Sequence, residues 1–507
     1  MKNSDFDINR LSEYKEDNRL EVKKASGGLP HSIWETYSSF ANSEGGLIVL
    51  GVEEDKKHQL HAVGVSDSEE LIRDFWNTVN NQQKISLNIL TDKMVYEYRI
   101  EDKTVVVIEV PRAEREMRPV YIGMDPMKGT YRRNHDGDFH CTREEVAAMY
   151  RDASPVSVDT HVLTNMDSSV FCQDTINDYR IIFNAQHANH IWSKLDDELF
   201  LRRIGAVGLS HEDNKIHPTI AGLLMFGYEY EIVREFSQYF LDYQEHMTTS
   251  IRWTHRVVSS SGDWSGNLFD FYYRIINRLT SDLPVPFRLE GTKRVDDTKL
   301  HEAVREALLN SLVHADYYGR QGLVVTKSPS ALTFANPGDM RISLTTALEG
   351  GISDPRNATL MKMFALIGIG ERAGSGIPSI ISSFQKATQL IPNYRISYAP
   401  ERVSCIINLN SESVSGKNTE KSVEKSVEKS VEKSVEKIIK AINDNPLVTV
   451  KELISIVGLT RRGVEKQIAT LKAKGVLRRV GPDKGGYWEI ISSDRQLTKP
   501  EKYEREK

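Results

Sequence analysis

Cysteine is nearly absent. The 507 residues contain three, Cys141, Cys172 and Cys405, too far apart for a metal knuckle or a disulfide framework. No apolar run approaches the roughly 20 residues that span a bilayer. The opening MKNSDFDINRLSEYKEDNR lacks the apolar centre of a signal peptide. A cytoplasmic protein with no membrane partner is the expectation. The net charge is only −5, which excludes a uniformly basic nucleic-acid coat and leaves room for local basic patches. No GxxxxGK[ST] loop occurs, so the phosphate cradle of a P-loop motor is missing, and helicase-motor chemistry with it. With 39% hydrophobic and 27% charged residues the composition is that of a soluble globular protein. The length fits about three or four domains.

One stretch organises the rest: Leu300–Tyr317, LHEAVREALLNSLVHADY. Val304, Leu308 and Leu312 recur every four residues, which predicts a helix with one buried stripe. Glu302, Glu306, Asn310 and His314 make a polar stripe at the same spacing. Residues four apart share a face, so Glu306 and Asn310 point into one space. A carboxylate that orients water and an amide that holds magnesium on a triphosphate need that arrangement. A solvated helix face satisfies the same spacing. Two glycine-bearing turns follow, Asn336-Pro337-Gly338 and Gly374-Ser375-Gly376.

The stretches PTIAGLLMFG, EALLNSLVHADY, LTFANPGDM and DPRNATLMKMFALIGIGERAGSGIPSI together resemble the RecG-like (AAA-4) form of the GHKL-type ATP-binding fold. The resemblance implies ATP and Mg²⁺ as cofactors. It places Glu306 as the group that activates water and Asn310 as the magnesium ligand. Asn336 and Gly338 fall at the adenine-side turn, and Gly374 and Gly376 in the phosphate-side loop. The family's Asp-x-Gly-x-Gly motif is replaced here by Asn336-Pro337-Gly338-Asp339.

A first domain is expected over residues 12–153. Leu20–Ala25 alternates apolar and charged residues and predicts a half-buried strand. A helix is expected over 32–42, ended by Gly45-Gly46, then a buried strand Leu47–Val52 and a hairpin of Met94–Ile100 with Thr104–Val110. EDNRLEVKKAS and SSFANSEGGLIVLGVEED resemble the Schlafen/AlbA-type domain, a fold linked to nucleic-acid binding. Some relatives are metal-dependent RNases, and their carboxylates map onto Glu16, Glu21 and Glu54. Such a cluster would hold Mg²⁺ or Mn²⁺ and activate water against a phosphodiester. The preferred reading is binding of RNA or DNA without cleavage, with Lys23, Lys24, Arg132 and Arg133 on phosphates.

Residues 154–290 predict a connector and a mixed α/β region, with a helix in PTIAGLLMFG and an amphipathic one over Trp264–Leu279. The GHKL-like domain is expected over 291–410 and a linker of EKSV repeats over 411–434. A right-handed stripe of valines in that repeat could support a homo-oligomer. Residues 435–491 read as helix, helix, basic helix and Gly-tipped hairpin, and resemble the winged helix-turn-helix family. That resemblance implies DNA contacts from Arg461, Arg462 and Lys466 on the recognition helix and Lys484 in the wing. Residues 492–507 read as a disordered tail. The fold expectation is therefore a multidomain α+β chain: a Schlafen/AlbA-like α+β domain, a GHKL-like α/β sandwich and a C-terminal winged helix. The functional expectation is an ATP-binding, DNA-binding transcriptional regulator. The alternative is an ATP-gated endoribonuclease or nuclease, for example in phage defence.

Overall fold

The computed structural model describes residues 19–248, 252–283, 289–290, 293–294, 298–370, 374–398 and 400–409, and scattered positions between 441 and 490. The chain divides into two units, Met1–Ser411 and Glu412–Lys507. Among the described residues no helix is long and apolar enough to cross a membrane.

The LEVK run forms β1 (Leu20–Lys23), followed by α1 (Ile33–Ala41) and β2 (Gly46–Leu50). Helix α1 stops earlier than its glycines suggest. Asn42 ends it, because its buried side chain turns away to bond the backbone N–H and C=O of Val120. Gly45, at φ +71°, instead makes the turn into β2. The expected strand Leu47–Val52 breaks at Gly51 (φ +92°), so β3 (Val52–Glu54) pairs separately with β4 (Leu60–Ala62). After α2 (Ser68–Val79) come β5 (Val95–Ile100) and β6 (Lys103–Val110), the expected hairpin. The sheet order is β1-β2-β6-β5, with β1 parallel to β2. Both sheet faces are buried. Ile48, Leu50, Val106 and Ile108 meet Tyr37, Phe40 and Phe75 from α1 and α2, while Leu47, Val49, Val105 and Val107 close on Leu20 and Val22. Such double burial is why β1 hides even Glu21 instead of alternating. A short α3 (Pro126–Gly129), the hairpin of β7 (Tyr131–Asn134) and β8 (Gly137–His140), and α4 (Arg143–Ala153) complete this part. Helix α4 starts with a capping box between Thr142 and Glu145.

The next stretch is no loose connector. Helix α5 (Gln173–Gln186) buries Tyr179 and Phe183 completely, and α6 (Asp197–Ile204) follows. Then come β9 (Val207–Leu209), β10 (Ile216–Pro218), α7 (Ile220–Phe226) and α8 (Glu229–Glu235). Every residue of α7 is buried. Further along are β11 (Leu241–Glu245), β12 (His255–Val258) and α9 (Leu268–Thr280). The crowded aromatics of α9, Phe269, Phe271 and Tyr272, are core. After the small pair β13 (Leu289–Glu290) and β14 (Lys293–Arg294) comes α10 (Lys299–Val313). The chain finishes this unit with β15 (Leu323–Lys327), β16 (Ala331–Pro337), α11 (Leu344–Glu349), α12 (Ala358–Leu366), α13 (Gly376–Thr388), β17 (Asn393–Tyr398) and β18 (Glu401–Asn408). A six-stranded sheet of order β12-β11-β15-β16-β18-β17 carries α10 on its face. One hydrophobic core runs from Leu163 to Ile407, so the expected division near residue 290 does not separate two cores.

Helix α10 ends at Val313, four residues short of the expected Tyr317. Its last carbonyls are captured from outside: Asn357 Nδ2 donates to the carbonyls of Val313 (3.1 Å) and Ala315 (2.9 Å), and the Asp316 N–H turns to the Pro337 carbonyl (2.9 Å).

In the second unit, β19 (Leu477–Val480) pairs antiparallel with β20 (Tyr487–Ile490). Ile442, Val448, Ile468, Leu471, Leu477 and Trp488 are buried, and the Trp488 indole N–H donates to the Val448 carbonyl (3.1 Å). These two strands fall in the stretch expected to carry the wing, whose tip, 482–486, lies outside the described residues. Arg461, Arg462, Lys466, Lys484 and the EKSV repeat lie outside the described residues, and so does the tail.

Candidate functional site

Glu306 and Asn310 stand one turn apart on α10, each half-buried, and face the start of α13. Gly376 permits this approach. A Cβ there would collide with the Glu306 carboxylate and lie 3.0 Å from Asn310 Nδ2. Gly374, at φ +67°, packs its backbone on Gly351 and Ile352, and its carbonyl accepts from the Gly351 N–H (2.9 Å). Between α10, the end of β16 and this glycine turn lies a cavity of about 120 Å³. Glu306, Asn310 and His314 line one side, Asn336 the strand end, and Tyr394 and Cys405 the floor. The sequence-predicted Glu306, Asn310, Asn336, Gly374 and Gly376 therefore surround one space. Gly338 is the turn residue after β16, at φ +96°, set closely against the Arg356 guanidinium.

Asn336 and Pro337 are not a free turn. They finish β16, paired with Val403 and Arg402 of β18, and the Asn336 amide donates to the Pro337 carbonyl (3.3 Å). The floor is kept uncharged, since burial raises the pKa of Tyr394 and pushes the Cys405 thiol up to about 12.

The opposite wall, residues 338–356, carries charges that sequence reasoning missed. Asp339 is 4% exposed. Its Oδ2 receives Arg112 Nη2 (2.9 Å) and Arg118 Nη1 (3.0 Å), with Arg132 Nη2 at 3.5 Å, while Oδ1 accepts the Met340 N–H. Burial by itself would raise its pKa, but Arg112, Arg132 and Arg118 hold the carboxyl well below the usual range. Around it Arg132 meets Glu401 (2.6 Å), Arg115 meets Asp354 (2.6 Å), Arg356 forks onto Asp152 (2.9 and 2.8 Å) and Arg151 reaches Asp316 (2.8 Å).

One expectation for the first domain is corrected by burial. Arg132 and Arg133, expected on phosphates, are 5% and 2% exposed. Strand β7 lies on α1 and points Arg133 inward, to Glu21 (2.8 Å), Asp138 (2.9 Å) and the ring of Phe40. Of the expected carboxylates, Glu21 and Glu54 are described and both have partners. Glu21 is 7% exposed and already neutralised by Arg133 and Lys23 (2.5 Å), and Glu54 faces His58 (2.8 Å) near the surface. Glu16 lies outside the described residues, among which no three candidate ligands gather round a metal position. Lys23 and Lys24 sit on acids, Glu21 and Glu53.

His314 closes α10 at the cavity wall. Burial, reinforced by Arg356 and Arg341, pushes its imidazole down to about 4. A His whose folded pKa lies below its unfolded value of 6.5 favours folding only while neutral. The unfolded chain takes up the proton first, so stability drains away as pH falls from 6.5 towards 4, by up to about 3 kcal/mol. Urea unfolding of the wild type against His314→Gln should show the two curves converging in that window and parallel above it. Curves parallel throughout would sink the assignment.

Residues 9–142 match the Schlafen AlbA_2 family. Residues 147–242 match DUF8451, a domain of unknown function, and residues 325–403 match HATPase_c_4, the family named for the C-terminal part of a recG-type ATP-dependent DNA helicase. No curated protein matches. Among solved structures, a crystal structure of a Corynebacterium diphtheriae protein is similar at 15% identity, covering 94% of this chain and 95% of that one, with a TM-score of 0.37. The solution structure of the N-terminal domain of a RecG-related protein from Nitrosomonas europaea is 26% identical, over 27% of this chain and 90% of that one, with a TM-score of 0.22. In chain order, then, the matches are to a Schlafen AlbA_2 domain, a DUF8451 domain and a recG C-terminal HATPase_c_4 domain, each over its own segment.

Proposed function

We propose that this protein binds ATP at the cavity beside α10 and that its nucleotide state controls binding of nucleic acid, which makes it a regulator. The observation that carries the reading is the meeting of Glu306 and Asn310 with Gly376 in one cavity. The HATPase_c_4 and Schlafen AlbA_2 matches support its two halves. The donor set fits a magnesium triphosphate: a carboxylate and an amide one helical turn apart, beside a glycine turn. Asn310 would hold Mg²⁺, the Gly374 and Gly376 backbone would border the phosphates, and Asn336 and Gly338 the base. Bound magnesium would neutralise triphosphate charge. Glu306 would orient water, and hydrolysis would be slow, since occupancy is the signal. The cavity of about 120 Å³ is smaller than the roughly 300–1,000 Å³ of small-molecule pockets, so binding requires the wall to move.

DNA is the proposed partner of the second unit, through Arg461, Arg462, Lys466 and Lys484. A nuclease acting through Glu16, Glu21 and Glu54 has less support, because Arg133 and Lys23 already engage Glu21. Calorimetry with ATP and Mg²⁺ tests the central reading. The wild type should bind and Asn310→Ala should bind at least about tenfold more weakly, a loss of about 1.4 kcal/mol. No heat with either protein would remove the nucleotide from the account.

A further inference from the structure

Arg356 forks onto Asp152, and two further polar anchor points of the cavity wall are held by residues far away in the chain. At its start Arg112 donates to Asp339 Oδ2 (2.9 Å) and to the Met340 carbonyl (2.6 Å). At its end Arg115 Nε donates to Asp354 Oδ2 (2.6 Å), while its Nη1 ties back to the carbonyls of Asp152 (2.7 Å) and Ser154 (2.9 Å). Met340 and Asp354 line the cavity, whereas Arg112 and Arg115 do not. The clamp therefore acts on the wall from behind. It is also well buried, with Arg112 and Arg115 side chains 8% and 13% exposed, so each bond is worth more than a surface pair.

We infer that Arg115, with Arg112, latches the cavity wall shut, so that loosening the latch raises nucleotide affinity and nucleotide binding loosens the latch. This deepens the ATP reading above and rests on it. A ligand that binds only an open wall is weakened by the fraction of molecules that are closed. Coupling between two sites is reciprocal, so occupancy of the cavity feeds back on the arginines of the Schlafen AlbA_2 domain. Such a route links the pocket to the nucleic-acid-binding part without a mobile hinge.

The sign of the effect makes the idea testable. Deleting a cation near a polyanion site normally weakens binding. Here Arg115→Ala in the full-length chain should bind the non-hydrolysable analogue adenylyl imidodiphosphate with Mg²⁺ about tenfold more tightly than wild type. Arg115→Lys, which keeps the charge and loses the fork, should show a smaller gain in the same direction. Lys128→Ala removes an exposed cation from the same domain, its side chain 87% exposed, and should leave affinity unchanged. Should Arg115→Ala fail to fold, Arg115→Lys decides. Equal or weaker affinity in the Arg115 variants, with wild type still binding, overturns the latch and leaves the ATP reading standing. Absence of binding in wild type and every variant overturns both.

Discussion

Asp339→Ala is expected to cost about 3–5 kcal/mol of folding stability, the scale for removing one partner of a buried ion group. The reason lies in what stays behind. Arg112, Arg118 and Arg132 all converge on Asp339 Oδ2, and the Arg118 and Arg132 side chains are 3% and 5% exposed. Neither Arg118 Nε nor Arg132 Nε has a hydrogen-bond partner. With the carboxylate gone, Arg112 keeps Glu44 and Arg132 keeps Glu401, but Arg118 loses its carboxylate. A guanidinium cannot shed its proton to escape, so it must be rehydrated by opening the fold. Urea unfolding followed by tryptophan fluorescence measures the loss. A cost below about 1 kcal/mol, the ceiling for exposed pairs, would show the cluster to be solvated. Acid works in the same direction. Because the folded carboxyl is depressed, its contribution is present above the ordinary Asp value and disappears only as pH falls through the lowered one.

Gly222→Ala should destabilise by about 1–3 kcal/mol or more, as overpacked cores do, although inside a helix this change ordinarily stabilises by about 1 kcal/mol. Gly222 lies within α7, in the PTIAGLLMFG stretch. A Cβ there would collide with the Ala206 carbonyl oxygen and stand 2.7 Å from the carbonyl carbon. Backbone offers no flexible end that could swing aside. The same oxygen accepts the Thr219 N–H (2.9 Å) and hydroxyl (3.1 Å), and the Thr219 hydroxyl in turn caps α7 by accepting from the Gly222 N–H (3.0 Å). Displacing Ala206 therefore loosens the start of the helix as well. Gly27→Ala meets nothing within 4 Å and serves as the control. A melting temperature for Gly222→Ala equal to or above wild type would refute the steric account.

The two stripes of α10 were legible because helical periodicity is local: Glu306, Asn310 and His314 share a face whatever lies elsewhere. The helix end was not legible, since Asn357 draws away the Val313 carbonyl from 44 residues along. Arg132 and Arg133 misled for the same reason. Two adjacent arginines in a polar strand look exposed, and the acids that bury them stand 269 and 112 residues away. Helix α5 did leave a signal: Ile176, Tyr179 and Phe183, spaced three and four apart, are its buried face. The composition of 154–196 obscured it. Charge partners carry no periodicity, so the wall at 338–356 had no sequence signature beyond single acidic residues.

The separation between Arg118 and Asp339, 221 residues, also has a meaning in time. At roughly 5–20 residues per second, ribosomes deliver Asp339 about 10–45 s after Arg118. For that interval the nascent Schlafen AlbA_2 segment holds three arginines with the acid they share still unmade. Its own sheet and hairpins can form, but the surface around Arg112, Arg118 and Arg132 must stay wet until the later strands arrive. A fragment cut after residue 153 would remain in that half-finished state, its arginines open to whatever polyanion the cell offers.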